Sequence, residues 1–292
     1  MFNDDKKYWV WLSLLSKLNK NIKRNLLLKY KEPKNIYKLE KKELIENNKI
    51  GEKTAEIILD ENIRLKLDRY LKEMEKNKID IITIKDKEYP NILKEIEDFP
   101  LMLYIKGNKN ILNNKNIAII GCRECTEYGR KAAVYFSYNL AKENITIVSG
   151  LAKGIDTYSH IGALKAGGKT IAVLGNGLDI IYPKQNEKIY EKIVKFGGAI
   201  IAEYPLGTKP EKNNFPERNR IISGMSKGVL IIEAKEKSGT IITADFALDQ
   251  GRDVFAVPGN INSVNSVGTN RLIKEGATPV TNFRDVLENF NS

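Results

Sequence analysis

The chain has 292 residues, 42% hydrophobic and 29% charged, with a formal net charge of +11 and a pI near 9.3. That apolar share is enough for one large domain or two, and the absence of any run of eighteen apolar residues excludes a membrane-spanning helix. The positive balance permits a polyanionic partner, but only ten of the 48 cationic side chains are arginine, so arginine placement says more than the total.

The opening "MFNDDKKYWVWLSLLSKL" has a short apolar run behind mixed charges and no small-residue cleavage site. It reads as a buried helix, not a signal peptide. Residues 1–75 read as a helical domain, because Trp11, Leu14, Leu15 and Leu18, then Leu26, Leu27 and Leu28, recur near helical spacing. Within it, "NNKIGEKTAEIIL" (Asn47 to Leu59) resembles the glycine turn of a helix-hairpin-helix, whose amides can meet a phosphate. Gly51 takes the turn, and Asn48 or Lys49 stands near the place of the usual first glycine. Residues 76–110 read as a connecting segment with a strand over Ile79 to Ile84, a turn into a helix at "EYPNILKEI", and punctuation by Pro90 and Pro100.

From 111 to 292 the pattern changes. Short apolar runs alternate with helical stretches: 116–121, 145–150, 170–177, 199–205, 228–234 and 253–259. Runs apolar on both faces are strands covered on both sides. Their alternation with helices predicts a doubly wound, Rossmann-like, mostly parallel sheet with right-handed crossovers. In such a sheet ligands bind beyond the carboxyl ends of the strands. The residues that follow the runs are therefore the candidates: Gly121 and Arg123; Ser149, Gly150, Lys153 and Gly154; the "FPERNR" stretch with Arg218, Asn219 and Arg220; and Ser238, Gly239 and Thr240 at a helix start. Glycines there let a backbone approach a ligand, and helix N-termini favour anions. The two arginines flanking Asn219 are expected to complete a basic crevice on the same rim.

Other chemistries fit less well. The first strand is not followed by a G-x-G-x-x-G, which argues against an ordinary NAD site, and there is no Walker A sequence. Cys122 and Cys125 form a CxxC, but with His160 as the only further Cys or His ligand a closed zinc site is short of donors. Such sparse cysteine use fits a reducing cytosol. His160 reads as a helix-face residue in a satisfied contact, and Asp156 as a cap of its helix. Asp156 and Glu233 could in principle be paired carboxylates. No nucleophile–base–orienter set is present, so no catalytic residue, metal or cofactor is expected.

The stretches "SGLAKGID", "FPERNRIISG", "EAKEKSGTIITADFALDQGRDVFAVPG" and "GTNRLIKEGA" together resemble the successive signatures of the DNA processing protein A (DprA/Smf) family, over about residues 110–280. The resemblance implies a cytoplasmic, non-catalytic protein that binds single-stranded DNA, protects it, and loads the RecA recombinase on it, as in natural transformation. It implies a homodimer through the Rossmann domain. It also implies that family members with a C-terminal winged-helix-like domain carry a function not expected of a chain ending at Ser292. The family's Gly-Ser-Arg falls on Gly121, Cys122 and Arg123, with cysteine in place of serine. Its basic loop residue falls on Lys153, its Arg-Asn-Arg on Arg218, Asn219 and Arg220, and its Ser-Gly-Thr on Ser238, Gly239 and Thr240.

The expected mechanism is a phosphate-tracking groove. Arg123, Lys153, Arg218 and Arg220 neutralise successive phosphates, while amides at Gly121, Gly150 and Gly239 fix the strand's path. Phe215 and Tyr158 are the candidate stacking aromatics. On this expectation, replacing Arg218 and Arg220 together by Ala weakens oligo-dT binding at least tenfold without unfolding. The alternative is a nucleotide-processing phosphoribohydrolase of the lysine-decarboxylase-like class. That class needs a glutamate in its Gly-Thr-x-x-Glu loop, where this chain has Thr243.

Overall fold

A computed structural model describes residues 5–291. The chain divides into two units, one comprising residues 1–83 and 101–104, the other 84–100 and 105–292. The segment read as a connector is therefore shared between them. The first unit is helical: α1 (Lys6–Leu14), α2 (Lys20–Tyr30), α3 (Pro33–Tyr37), α4 (Lys41–Asn48), α5 (Glu52–Ile58) and α6 (Glu61–Lys76), followed by β1 (Asp80–Thr83). The N-terminal apolar run forms α1, which buries Trp9, Val10, Trp11 and Leu12. With Leu15, Ile36, Leu44 and Ile58 these make the core of the unit. Tyr37 is central to it, meeting the rings of Tyr8 and Trp11 edge-on at 5.1 and 5.0 Å, with the Arg64 guanidinium 4.3 Å from its ring centre. Gly51 precedes α5 in extended backbone, and a Cβ there would meet nothing within 4 Å.

β2 (Met102–Gly107) starts in the first unit and ends in the second. The second unit continues with β3 (Asn116–Ile120), α7 (Glu127–Lys142), β4 (Thr146–Ser149), α8 (Ile155–Lys165), β5 (Thr170–Leu174), α9 (Glu187–Lys195), β6 (Ala199–Ala202), α10 (Asn214–Gly224), β7 (Gly228–Ile231), α11 (Gly239–Asp249), β8 (Asp253–Ala256), α12 (Val267–Lys274), β9 (Thr278–Pro279) and α13 (Phe283–Asn291). Each of the six apolar runs is a strand. The nine-stranded sheet runs β1-β2-β6-β5-β4-β3-β7-β8-β9, and the pairs from β6 across to β9 are parallel.

The middle strands are buried on both faces, as continuous Ile/Val/Ala runs require. Ile117 pairs with Ile147 on one side and Gly228 on the other. Side chains of α7 and α8 close over this face, where Phe136 and Leu140 pack with Ile117, Ile147, Leu230 and Phe255. Chain order proceeds outward from β3 through β4, β5 and β6, then returns to place β7 on the other side of β3. That reversal opens a crevice at the carboxyl ends of the strands, where connections leave in opposite directions. Among the described residues, no helix is long and apolar enough to cross a membrane.

Candidate nucleic-acid interface

A crevice of about 740 Å³ lies at this reversal. The turn after β3 supplies Gly121, Cys122 and Arg123, and the loop after β4 supplies Ala152. α10 supplies Phe215, Arg218 and Asn219, and the start of α11 supplies Ser238, Gly239 and Thr240. Seven of the twelve nominated residues thus share one cavity. Lys153 is exposed directly beside Ala152, on the same loop. Ser149 is buried, its hydroxyl donating to the Ile119 carbonyl at 2.7 Å, and so ties β4 to β3.

Arg218 forms the floor. It is 5% exposed, donating from Nη1 to the carbonyls of Gly150 (2.9 Å) and Val173, and from Nε to Asn219 Oδ1 at 3.2 Å. These carbonyls belong to strand ends, so the guanidinium caps the edge of the sheet. Burial pulls its pKa down to about 10, the Asp156 carboxylate opposes that, and the Arg123 charge adds to the fall. It therefore remains cationic at neutral pH.

Asp156 is not the cap of its own helix that the sequence pattern predicts. It sits inside α8 with its side chain turned back onto the β4 loop, accepting from the amides of Gly150 (3.1 Å) and Ala152 (3.3 Å). The Gly150 amide assigned above to a ligand is thus already used. Gly150 is glycine because a Cβ there would lie 2.7 Å from both Arg218 Nη2 and Asp156 Oδ2. Burial raises the Asp156 pKa and Arg218 opposes it. Gly154 has φ +76°, and a Cβ there would lie 2.2 Å from the Cys122 carbonyl, so the β4 loop packs backbone-to-backbone on the β3 turn.

Arg220 does not reach the crevice. It is 2% exposed and turned away, with Nε 2.6 Å from Asp98 and Nη2 2.6 Å from Glu203. Residues two apart on a helix project about 200° apart, so 218 and 220 cannot share a rim once "FPERNR" is α10. Both are buried and bonded, so replacing them together disturbs the fold before it reports on binding. This corrects the expectation that the pair could be removed harmlessly.

The rim is different in kind. Arg123 is exposed, and among the described residues it makes no hydrogen bond or ion pair. Its guanidinium lies 5.5 Å from the centre of the Phe215 ring. Lys153 and Lys212 are exposed and likewise unpaired among the described residues. Lys212 lines the crevice, as do Tyr182 and Pro210, and sequence reasoning did not nominate these three. The position of Lys212, three residues before Phe215, was the available signal. Phe215 lines the cavity, whereas Tyr158 is partly packed on the core, with Arg130 5.7 Å over its ring, and does not line it.

At the start of α11, Ser238 Oγ is buried without a hydrogen-bond partner among the described residues, and Gly239 is exposed with nothing within 4 Å of a Cβ position. Together they present an open helix N-terminus to the cavity. Thr243, standing where the hydrolase class needs glutamate, donates its hydroxyl to the Gly239 carbonyl at 3.2 Å.

Cys122 lines the crevice but is buried, and burial pushes both its thiol and that of Cys125 up. The Cys122 backbone bonds Glu233 O through its amide and Ile155 N through its carbonyl. Glu233 is buried and holds the Thr126 amide and hydroxyl at the start of α7, beside a separate cavity of about 420 Å³. It therefore serves a different element from Asp156. His160 is wholly buried in α8 with Nδ1 2.6 Å from Thr170 Oγ1. That hydroxyl donates to Ile147 O, so the histidine must donate from Nδ1. Among the described residues, no group of three or more His, Cys, Asp or Glu could hold a metal.

Residues 80–291 match the family model of DNA recombination-mediator protein A. The chain belongs to the DNA processing protein A (DprA/Smf) family. It is 47% identical over 208 residues to the DNA processing protein DprA of Streptococcus pneumoniae, covering 71% of this chain and 73% of that one. The X-ray structure of that S. pneumoniae protein superposes with a TM-score of 0.77 at 38% identity over 97% of both chains. A structure of DNA processing protein A from Helicobacter pylori, a study of its single-stranded DNA binding mode, gives a TM-score of 0.65 at 32% identity. That match covers 72% of this chain and 95% of the other.

Proposed function

We propose that the crevice binds single-stranded DNA and that the chain acts in recombination by loading the RecA recombinase on that strand. The reading is binding, not catalysis. The observation that carries it is the free rim: Arg123 and Lys212 line a cavity whose floor is a buried cation, Lys153 follows the lining residue Ala152, and all three are exposed without a hydrogen bond or ion pair among the described residues. Exposed cations with no internal partner are available to phosphates, and a buried one beneath them adds attraction at no further ordering cost. The open α11 start with Ser238 and Gly239 supplies anion-facing donors. The single-stranded DNA binding of the H. pylori relative supports the same partner.

Phosphate contacts carry no sequence information, so preference among bases should be small. Three rim cations give a slope of log affinity against log salt of about −2, at about −0.7 per phosphate on single strands. Dimerisation through the α/β unit, which family resemblance supports, would join two such crevices on one strand and raise avidity. A fluorescence-anisotropy titration with labelled oligo-dT and with a duplex of equal length tests the reading. Tight, salt-sensitive binding of the single strand and weaker binding of the duplex are expected. Absence of binding to the single strand at low salt would overturn it.

A further inference from the structure

We infer that Tyr182, at the mouth of the crevice, is the platform on which a DNA base stacks. This rests on the single-strand reading above. Four observations point to it.

Tyr182 lines the cavity yet is 43% exposed, and among the described residues its hydroxyl makes no hydrogen bond. Among the described residues its ring neighbour is Phe215, with centroids 5.8 Å apart and planes tilted by 31°. Phe215 has little left to offer a base, because it is half-buried and its ring is attended by Arg123 at 5.5 Å and Arg218 at 6.0 Å as well as by Tyr182. Of the two rings, Tyr182 is the more exposed.

The loop that presents it is held rigidly. Asn176 donates to the Ile180 carbonyl at 2.6 Å, Tyr190 to the Leu178 carbonyl at 2.9 Å, and the Gly207 amide to the Asp179 carboxylate at 3.0 Å. Beyond the tyrosine, buried Asn186 bridges this loop to the Leu151 carbonyl at 2.8 Å. An exposed aromatic on a pinned loop loses little conformational freedom when a ligand stacks on it. The same loop lies beside the rim cations that would hold the flanking phosphates, so base and backbone can be engaged together. Stacking of this kind tolerates any base, because every base has a π-face.

The test compares wild type, Tyr182→Ala and Tyr182→Phe on oligo-dT and on an abasic strand of equal length, with thermal melts as the folding control. The alanine variant is expected to bind oligo-dT about fivefold to 150-fold more weakly, the range for one stacked base at about 1–3 kcal/mol. It should match wild type on the abasic strand, and the phenylalanine variant should behave as wild type on both. Equal affinity of the alanine variant and wild type for oligo-dT would refute the stacking role and leave the single-strand reading intact. Equal loss on both strands would refute it too, by making Tyr182 a backbone contact. A wild type that binds neither strand removes the underlying reading instead. Should the alanine variant melt early, Tyr182→Leu, which keeps apolar bulk without a π-face, is held to the same outcomes.

Discussion

The floor and the rim of the crevice carry the same charge and opposite roles. On the floor, Arg218 is buried and bonded to two strand-end carbonyls, with Arg220 buried behind it in ion pairs to Asp98 and Glu203. On the rim, Arg123 and Lys212, with Lys153 on the adjoining loop, are exposed and make no hydrogen bond or ion pair among the described residues. A cation already satisfied by the protein fixes the shape of the site, while an unsatisfied one is free to bind. The difference teaches that the most arginine-rich motif in the chain is mainly architecture, and that, on the proposed reading, the binding charges stand on the turns around it.

Four changes sharpen or break this contrast. The largest effect is expected from Arg218→Ala. It strands the buried carbonyls of Gly150 and Val173, at about 1–3 kcal/mol for each acceptor left unsatisfied, and removes the charge that opposes the raised pKa of Asp156. Urea denaturation measures it, and wild-type stability in this variant would deny the floor its structural role.

Acid comes next. Burial holds His160 at about 3, against the ordinary 6.5. A depressed value means the unfolded chain takes a proton that the folded one refuses. The His160 contribution is full above about pH 6.5 and falls as pH drops towards 3, by about 1.4 kcal/mol per unit. The raised value of Asp156 works the other way in acid and offsets part of this loss. Stability measured from pH 7 to 5 should therefore decline less steeply in His160→Gln than in wild type.

Arg220→Ala should cost about 2 kcal/mol, the scale of charged hydrogen bonds, yet leave the DNA affinity of the folded protein unchanged. Reduced affinity at full folding would return Arg220 to the rim. The smallest stability effect is expected for Arg123→Ala, within about 0.5 kcal/mol as for an exposed site, while its affinity for oligo-dT falls. Thermal melts and anisotropy on one preparation separate the two readouts.

Much of the fold was legible in the sequence, because strands covered on both sides must be continuously apolar and the six runs after 115 are so. Two strands were not read. β2 lies in a stretch between Pro100 and Gly107 that resembles a connector, and β9 has only two residues, Thr278 and Pro279. The site was legible at the level of loops, since the ends of parallel strands converge whatever their side chains do. Side-chain direction was harder to read. The opposite facing of Arg218 and Arg220 follows from helical geometry and could have been deduced. The partners that bury them, Gly150, Val173, Asp98 and Glu203, are distant in sequence and could not. Tyr182 was missed for the same reason, since only the folded loop brings it beside Phe215.

The salt dependence of oligo-dT affinity, compared between wild type and an Arg123→Ala/Lys212→Ala double variant, bears most directly on the claim that free rim cations grip the strand. The account predicts a slope that falls in magnitude by about 1.4, from near −2 to near −0.7, with the melting temperature unchanged. An identical slope in the two proteins would place the contacts elsewhere and contradict it.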